Sequence, residues 1–223
     1  MSKIIVICNS KGGVGKTTLS INLAHSCKNF ARTALVDLDS QGSVHDMSEH
    51  FYKKPKIEDA APTEDEDFED FALLPYSMEL MERTFNTESD FDLIIVDTPP
   101  YLIEGLQKLF AKAHLIIIPI KAGPLDTRAT RRTVSIAKAA QKLNPKLKTS
   151  FVINMVKEST NLTQEAIDAL LVYDLPIFKS RIGDRSDFTR SVALEHGIYT
   201  VENKKARQEF DAFTKEVLTT LSK

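Results

Sequence analysis

The string Ser10-Lys11-Gly12-Gly13-Val14-Gly15-Lys16-Thr17-Thr18 sits directly between a continuous apolar run at 3–8 and a helical pattern at 17–28. In that pattern Leu19, Leu23 and Cys27 share one stripe. A short apolar strand that turns at once through glycines into a helix belongs to a parallel sheet, where crossover helices cover both faces. The glycines let successive backbone N–H groups curl inward toward an anion. The helix N-terminus that follows adds its partial positive charge. Lys16 is placed to reach β- and γ-phosphates and the Thr17 hydroxyl to bind Mg²⁺, with Lys11, Gly12, Gly13, Val14, Gly15 and Thr18 completing the cradle. A strict phosphate-binding loop has Gly where this chain has Ser10, so the loop is a variant.

The rest of the chain repeats the strand–helix alternation. Strands are predicted at 33–38, 71–74, 92–97, 114–120 and 149–155, and helices at 102–112, 126–143 and 162–173. The reading is one α/β P-loop domain over residues 1–223: a mostly parallel twisted sheet with helices on both faces. Two further helices, at 186–196 and 203–222, close the chain. In the last, Ala206, Phe210, Phe213, Val217 and Leu221 recur at helical spacing and are expected to dock on the core.

Two acidic strand ends supply chemistry beside the loop. Asp97 ends the run Leu93-Ile94-Ile95-Val96, where a carboxylate can hold Mg²⁺ through water at the carboxyl edge of the sheet. Asp39 follows the second strand, with Asp37 just before it, and can orient an attacking water or accept its proton. The Asn/Thr-Lys-x-Asp signature for guanine is missing (the nearest string is Asn203-Lys204-Lys205-Ala206), which favours ATP over GTP.

Composition excludes several classes. The longest apolar run, at 115–120, has six residues and includes a proline; a membrane span needs about 20. The apolar stretch at the N-terminus breaks too early for a signal peptide. Cys8 and Cys27 form no metal-ligand or disulfide pattern, which points to a reducing cytoplasm. Net charge is −2, yet residues 58–70 alone hold eight acids and no Lys or Arg. The remaining chain carries 29 basic and 23 acidic residues, a net +6. Residues 127–157 contain eight Lys or Arg and no acid. A near-neutral total therefore conceals a basic surface and an acidic loop at about 55–70, the latter read as solvated chain.

The motifs resemble those of ParA/MinD-family ATPases with a deviant Walker A box, in which the second lysine is Lys11. Val36-Asp37-Leu38-Asp39-Ser40-Gln41-Gly42 is similar to the family's second box, with Ser40 where Pro is usual. Ile95-Val96-Asp97-Thr98-Pro99-Pro100 is similar to its Walker B and switch. The segment 119–126, the string Leu143-Asn144-Pro145-Lys146-Leu147 and the region from Arg185 to Gly197 extend the likeness over nearly the whole chain. The lack of an N-terminal helix-turn-helix extension points to the small ParA type. The resemblance implies an ATP-dependent homodimer with the nucleotides sandwiched, in which Lys11 reaches across to the partner's phosphates as an arginine finger does. It implies slow, partner-stimulated hydrolysis with Lys11, Lys16 and Asp39 as catalytic residues, Asn154 at the adenine or as a strand-end cap, and a ParB-like or other adaptor. It further implies a cytoplasmic protein that associates with the nucleoid when ATP-bound and moves plasmid, chromosome or other cargo.

A basic face agrees with that implication. On the predicted helix at 126–143, Arg128, Arg131, Arg132, Lys138 and Lys142 fall within about one third of the circumference. Ala129, Ile136, Ala140 and Leu143 are read as its core side. A second group comprises Arg181, Arg185, Arg190, Lys204, Lys205 and Arg207, matching the region where ParA proteins bind DNA; Arg185 and Arg190 are the positions carried over. Binding of non-specific DNA through phosphates is the expectation. The rival readings are a MinD-like membrane positioner, which needs an amphipathic C-terminal anchor, and an ATP-binding scaffold with little turnover.

Overall fold

Seven short runs pair side by side in one parallel sheet: β1 (Lys3–Ile7), β2 (Thr33–Asp37), β3 (Ala72–Leu74), β4 (Leu93–Asp97), β5 (Leu115–Lys121), β6 (Lys148–Val156) and β7 (Ile177–Gly183). Their spatial order is β3-β2-β4-β1-β5-β6-β7. The described helices are α1 (Lys16–Cys27), α2 (Leu106–Lys112), α3 (Thr127–Leu143), α4 (Leu162–Leu170), α5 (Ser186–Ser191) and α6 (Lys204–Ser222). The computed structural model describes residues 2–39, 71–74, 90–101, 106–123, 127–157, 161–194 and 196–222. The acidic loop at 55–70, residues Ser40 to Gly42 and residues 124–126 of the segment 119–126 lie outside them.

The apolar runs form strands because each must bury both faces. Ile4 and Val6 pack into one cluster with Leu109 and Phe110 of α2, Val134, Ala137 and Ala140 of α3, and Leu170 of α4. Ile5 and Ile7 point the other way, to Leu19 and Leu23 of α1, Phe188 of α5, and Phe210, Phe213 and Val217 of α6. Alternation with period two thus feeds two cores, one on each side of the sheet.

The order also places the site. From β1 the chain runs to β2 and β3 on one side, returns through β4, and then continues to β5, β6 and β7 on the other. A crevice at the carboxyl ends of the strands beside β1 follows from that reversal. In the register, Ile7 lies opposite Asp97, and Asp97 lies opposite Asp37.

The C-terminal helix docks as its periodicity predicts. Ala206, Phe210, Phe213 and Val217 are fully buried, and Leu221 packs partly against the same core. Phe213 meets Phe178 and Phe210 edge-on, with ring centroids 5.7 and 5.6 Å apart.

Three expectations are corrected. Residues 177–183 form a seventh strand that hydropathy does not announce, because β7 is an edge strand with a mixed burial pattern. Its exposed edge is satisfied from α6: Glu216 accepts the N–H groups of Lys179 and Ser180 (2.8 and 2.9 Å), and Glu209 accepts that of Gly183 (3.1 Å). Covering an edge in this way blocks pairing with another chain. The helices at 162–173 and 186–196 are shorter than predicted, each giving way to a 3-10 turn, at Leu171–Tyr173 and Gly197–Tyr199. On α3, Leu143 is 74 % exposed rather than core-facing. The core side of α3 is Thr130, Thr133, Val134, Ala137 and Ala140, with Ala129 and Ile136 at its margin.

Candidate functional site

The loop after β1 has the shape that its glycines predict. Gly13 and Gly15 adopt positive φ, +69° and +86°. Gly15 is also the N-cap of α1, and no side chain caps that helix end. The first N–H groups of α1 are therefore directed at the loop rather than at a capping hydroxyl, which is what an anion at a helix N-terminus requires.

Lys16, Thr17 and Asp97 converge there. The Thr17 hydroxyl donates to Asp97 Oδ2 at 2.6 Å, and the Ser20 hydroxyl is 3.1 Å from Asp97 Oδ1. Asp97 is fully buried. Burial pushes its carboxyl up to about 7, aided by the charge of Asp37 and opposed by the two hydroxyls and by Lys16. Lys16 is itself buried, and its Nζ lies 3.4 Å from the Lys11 carbonyl. Burial holds its ammonium below the ordinary lysine value, with Asp97 the largest opposing charge. A buried carboxylate and a buried ammonium beside an uncapped helix N-terminus form a site built for a polyanion and its counter-cation.

Asp39 follows β2 at the same edge, and its N–H donates to Asp37 Oδ1 at 2.9 Å. Asn154, near the end of β6, is 4 % exposed and turns toward the loop. Its Nδ2 donates to the Val14 carbonyl at 2.8 Å, while its Oδ1 accepts the N–H of Met155 at 2.9 Å. Met155 has φ +53°, an uncommon conformation for a long side chain, directly beside the site.

Sequence reasoning missed three contributors. Ser20 lies one turn after Thr17 on α1, and that spacing could have disclosed it. Asp37 is buried and fixes the backbone of Asp39. Asn9 precedes the glycines: its Nδ2 donates to the Pro119 carbonyl at 2.8 Å and its Oδ1 accepts the Lys11 N–H at 2.9 Å. Asp37 stands inside the string at 36–42 that the sequence singles out, with no role read for it there, and Asn9 carries no motif signal of its own.

The predicted DNA residues are treated differently by the fold. Arg185 pairs with Glu209 through Nη2 at 2.6 Å and Nε at 3.2 Å, whereas Arg190 is exposed on α5. Arg181 and Arg207 donate to the carbonyls of Phe178 and Val201. On α3, Arg128, Arg131, Arg132, Lys138 and Lys142 are all exposed. Among the described residues, no helix is long and apolar enough to cross a membrane.

Residues 5–198 match the family model described as the CobQ/CobB/MinD/ParA nucleotide binding domain. The chain belongs to that family. It is 24% identical over 217 residues to "Maintenance of carboxysome distribution protein A" of Halothiobacillus neapolitanus, covering 96% of this chain and 95% of the relative. It is 30% identical over 205 residues to "Chromosome partitioning protein ParA" of Myxococcus xanthus, covering 78% and 72% of the two chains. Among solved structures, it is similar to cobyrinic acid a,c-diamide synthase from Mycobacterium smegmatis with bound ATP analogue and magnesium. That match has a TM-score of 0.72 and 20% identity, and it covers 100% of this chain and 96% of the other. At such identity the likeness speaks for the fold; the family's activities differ widely, and the site must decide among them.

Proposed function

We propose that the protein is a ParA-type ATPase that dimerises on ATP, binds non-specific DNA and drives segregation or positioning of a cargo, with hydrolysis resetting the cycle. The observation that carries this reading is the arrangement of Lys16, Thr17 and Asp97 beneath a loop that bears a second lysine, Lys11. The residues fit ATP and Mg²⁺. Positive φ at Gly13 and Gly15 opens the cradle, and no side chain caps the N-terminus of α1, which suits an anion there.

In this reading Lys16 binds the β- and γ-phosphates, and the N–H groups of residues 12–18 line the α- and β-phosphates. Thr17 offers its hydroxyl oxygen and Asp97 its carboxylate toward the metal, Asp97 through water. Bound Mg²⁺ neutralises phosphate charge and polarises the transferring group. Asp39, held by Asp37, orients the attacking water. Lys11 crosses to the partner's phosphates and offsets charge that develops in the transition state, so turnover depends on dimerisation. Asn154 braces Val14 at 2.8 Å and would contact the adenine of a bound nucleotide.

DNA binding rests on the exposed cations of α3 together with Arg190. A dimer doubles that surface, and ATP-controlled dimerisation then controls DNA affinity through avidity. The apolar stripe of α6 is buried in the core, which does not favour a membrane anchor at that helix. A ParB-like or other adaptor that stimulates turnover follows from the same reading, as do cytoplasmic location and nucleoid association in the ATP state.

Binding to a non-specific duplex is measured in ADP, in ATP and in a non-hydrolysable analogue. Tight, salt-sensitive binding confined to ATP and the analogue is expected. Equal weak binding in all three states would overturn the gated mechanism.

A further inference from the structure

Where β1 leaves the sheet, its pairing with β5 is taken over by a side chain. The last backbone bond there runs from the Cys8 N–H to the Ile117 carbonyl at 3.0 Å. The next carbonyl on that side, Pro119, is taken by Asn9 Nδ2 at 2.8 Å. The other half of the same amide, Oδ1, holds the Lys11 N–H at 2.9 Å. Asn9 is 3 % exposed, so both bonds form away from water. Ser10 adds a second anchor: its N–H donates to Thr133 Oγ1 at 3.1 Å and its hydroxyl to the Ala129 carbonyl at 2.9 Å, both on α3. The backbone on the N-terminal side of Lys11 is thus tied to β5 and α3. The Lys11 side chain remains half-buried, at the margin of the loop.

We infer that Asn9 is a positioning residue for Lys11, setting the direction in which that lysine leaves its own protomer to serve the partner's site. The inference rests on the reading that Lys11 acts in trans. An amide is required, since the position needs a donor toward Pro119 and an acceptor toward Lys11 on one short planar group. Asp supplies only the acceptor, and Ala neither. The Lys11 carbonyl meets Lys16 Nζ at 3.4 Å, but the glycines and helix N-terminus that cradle phosphate within the protomer follow Lys11 and have further supports, such as Asn154 on Val14. Loss of Asn9 therefore misdirects a group used by the partner while leaving the protomer's own nucleotide binding in place.

Mixed dimers test this. Asn9→Ala and Asn9→Asp are assayed for steady-state ATP hydrolysis and, separately, for affinity toward a fluorescent ADP. The expected result is a loss of turnover of about tenfold or more with ADP affinity changed less than about threefold. Each variant is then titrated with Asp39→Ala protein, which is inactive in its own site but carries an intact Asn9 and Lys11. Turnover is expected to recover toward that of a wild-type and Asp39→Ala mixture, because the intact lysine enters the Asn9-variant site from outside. Lys11→Ala, titrated in the same way, is the reference. Recovery for Lys11→Ala without recovery for the Asn9 variants would overturn the role of Asn9 and leave the trans lysine standing. Recovery for neither would overturn the trans lysine itself. A fall in ADP affinity as large as the fall in turnover would show that Asn9 serves its own protomer's cradle, and would also overturn the inference.

Discussion

Gly15→Ala probes the loop at the position where geometry is tightest. Gly15 has φ +86°, and a Cβ there would lie 2.3 Å from Asn154 Nδ2. Two costs follow. An alanine held in the left-handed region loses about 1–2 kcal/mol. Asn154 must also swing away, giving up its buried bond to the Val14 carbonyl, which costs about 1–3 kcal/mol. The substitution is expected to destabilise the nucleotide-free protein by about 2–5 kcal/mol, a large share of a typical total of about 5–15 kcal/mol. The two terms are separable. In an Asn154→Ala background the collision is gone, and Gly15→Ala should cost only the backbone term, about 1–2 kcal/mol. Urea denaturation of the four proteins, with equal m-values as the check on two-state behaviour, measures the coupling. Additivity of the two single substitutions within about 0.5 kcal/mol would refute the reasoning, because it would mean that Gly15 and Asn154 do not compete for the same space.

Phe213→Ala removes a fully buried ring that joins α6 to β7; a loss of about 3–5 kcal/mol is expected by denaturant unfolding. His25 is buried and held neutral: burial first, then the positive charges of Lys28 and His196, bring its imidazole from 6.5 down to about 3. The unfolded chain binds the proton that the folded one refuses, so the contribution of His25 to stability is constant above about pH 6.5 and falls as pH drops below it, opposite in sign to that of Asp97, whose raised carboxyl is protonated in the folded chain below about pH 7. The difference in stability between wild type and His25→Leu, in which the Asp97 contribution is common to both, should change with a slope approaching about 1.4 kcal/mol per pH unit below about pH 6.5. Arg190→Ala should weaken DNA binding and reduce the salt slope by about 1 without changing stability. Arg185→Ala should cost about 1 kcal/mol of stability, since it breaks the pair with Glu209, whose side chains are 21% and 20% exposed. Unfolding curves recorded beside the DNA titrations separate the two arginines.

Part of this molecule was legible because its signals are local. The turn from β1 through residues 10–18 into α1 is one contiguous strand–loop–helix, and backbone conformation there follows from the glycines themselves. Asp97 closes an uninterrupted apolar run, so its place at the sheet's carboxyl edge follows from the strand. The stripe from Ala206 to Val217 needs only helical spacing to find its core.

Other features exist only once distant segments meet. On α3, hydropathy assigned Leu143 inward and ignored Thr130 and Thr133; the fold reverses this because Thr133 is wanted by the Ser10 N–H, across 123 positions of chain. β7 reads as polar chain because the partners of its edge, Glu209 and Glu216, come from a helix that follows it by more than a turn of sequence. Arg185 reads as equivalent to Arg190 in composition; the fold pairs its guanidinium with the carboxylate of Glu209, whereas Arg190 is exposed. The sequence alone determined which chemistry gathers at the loop, since glycine conformations and strand-end carboxylates are encoded within a few residues. Only the tertiary structure decided how the loop is braced, which cations face water and which way α3 is turned, because each depends on a hydrogen bond or ion pair whose two halves lie far apart in the chain.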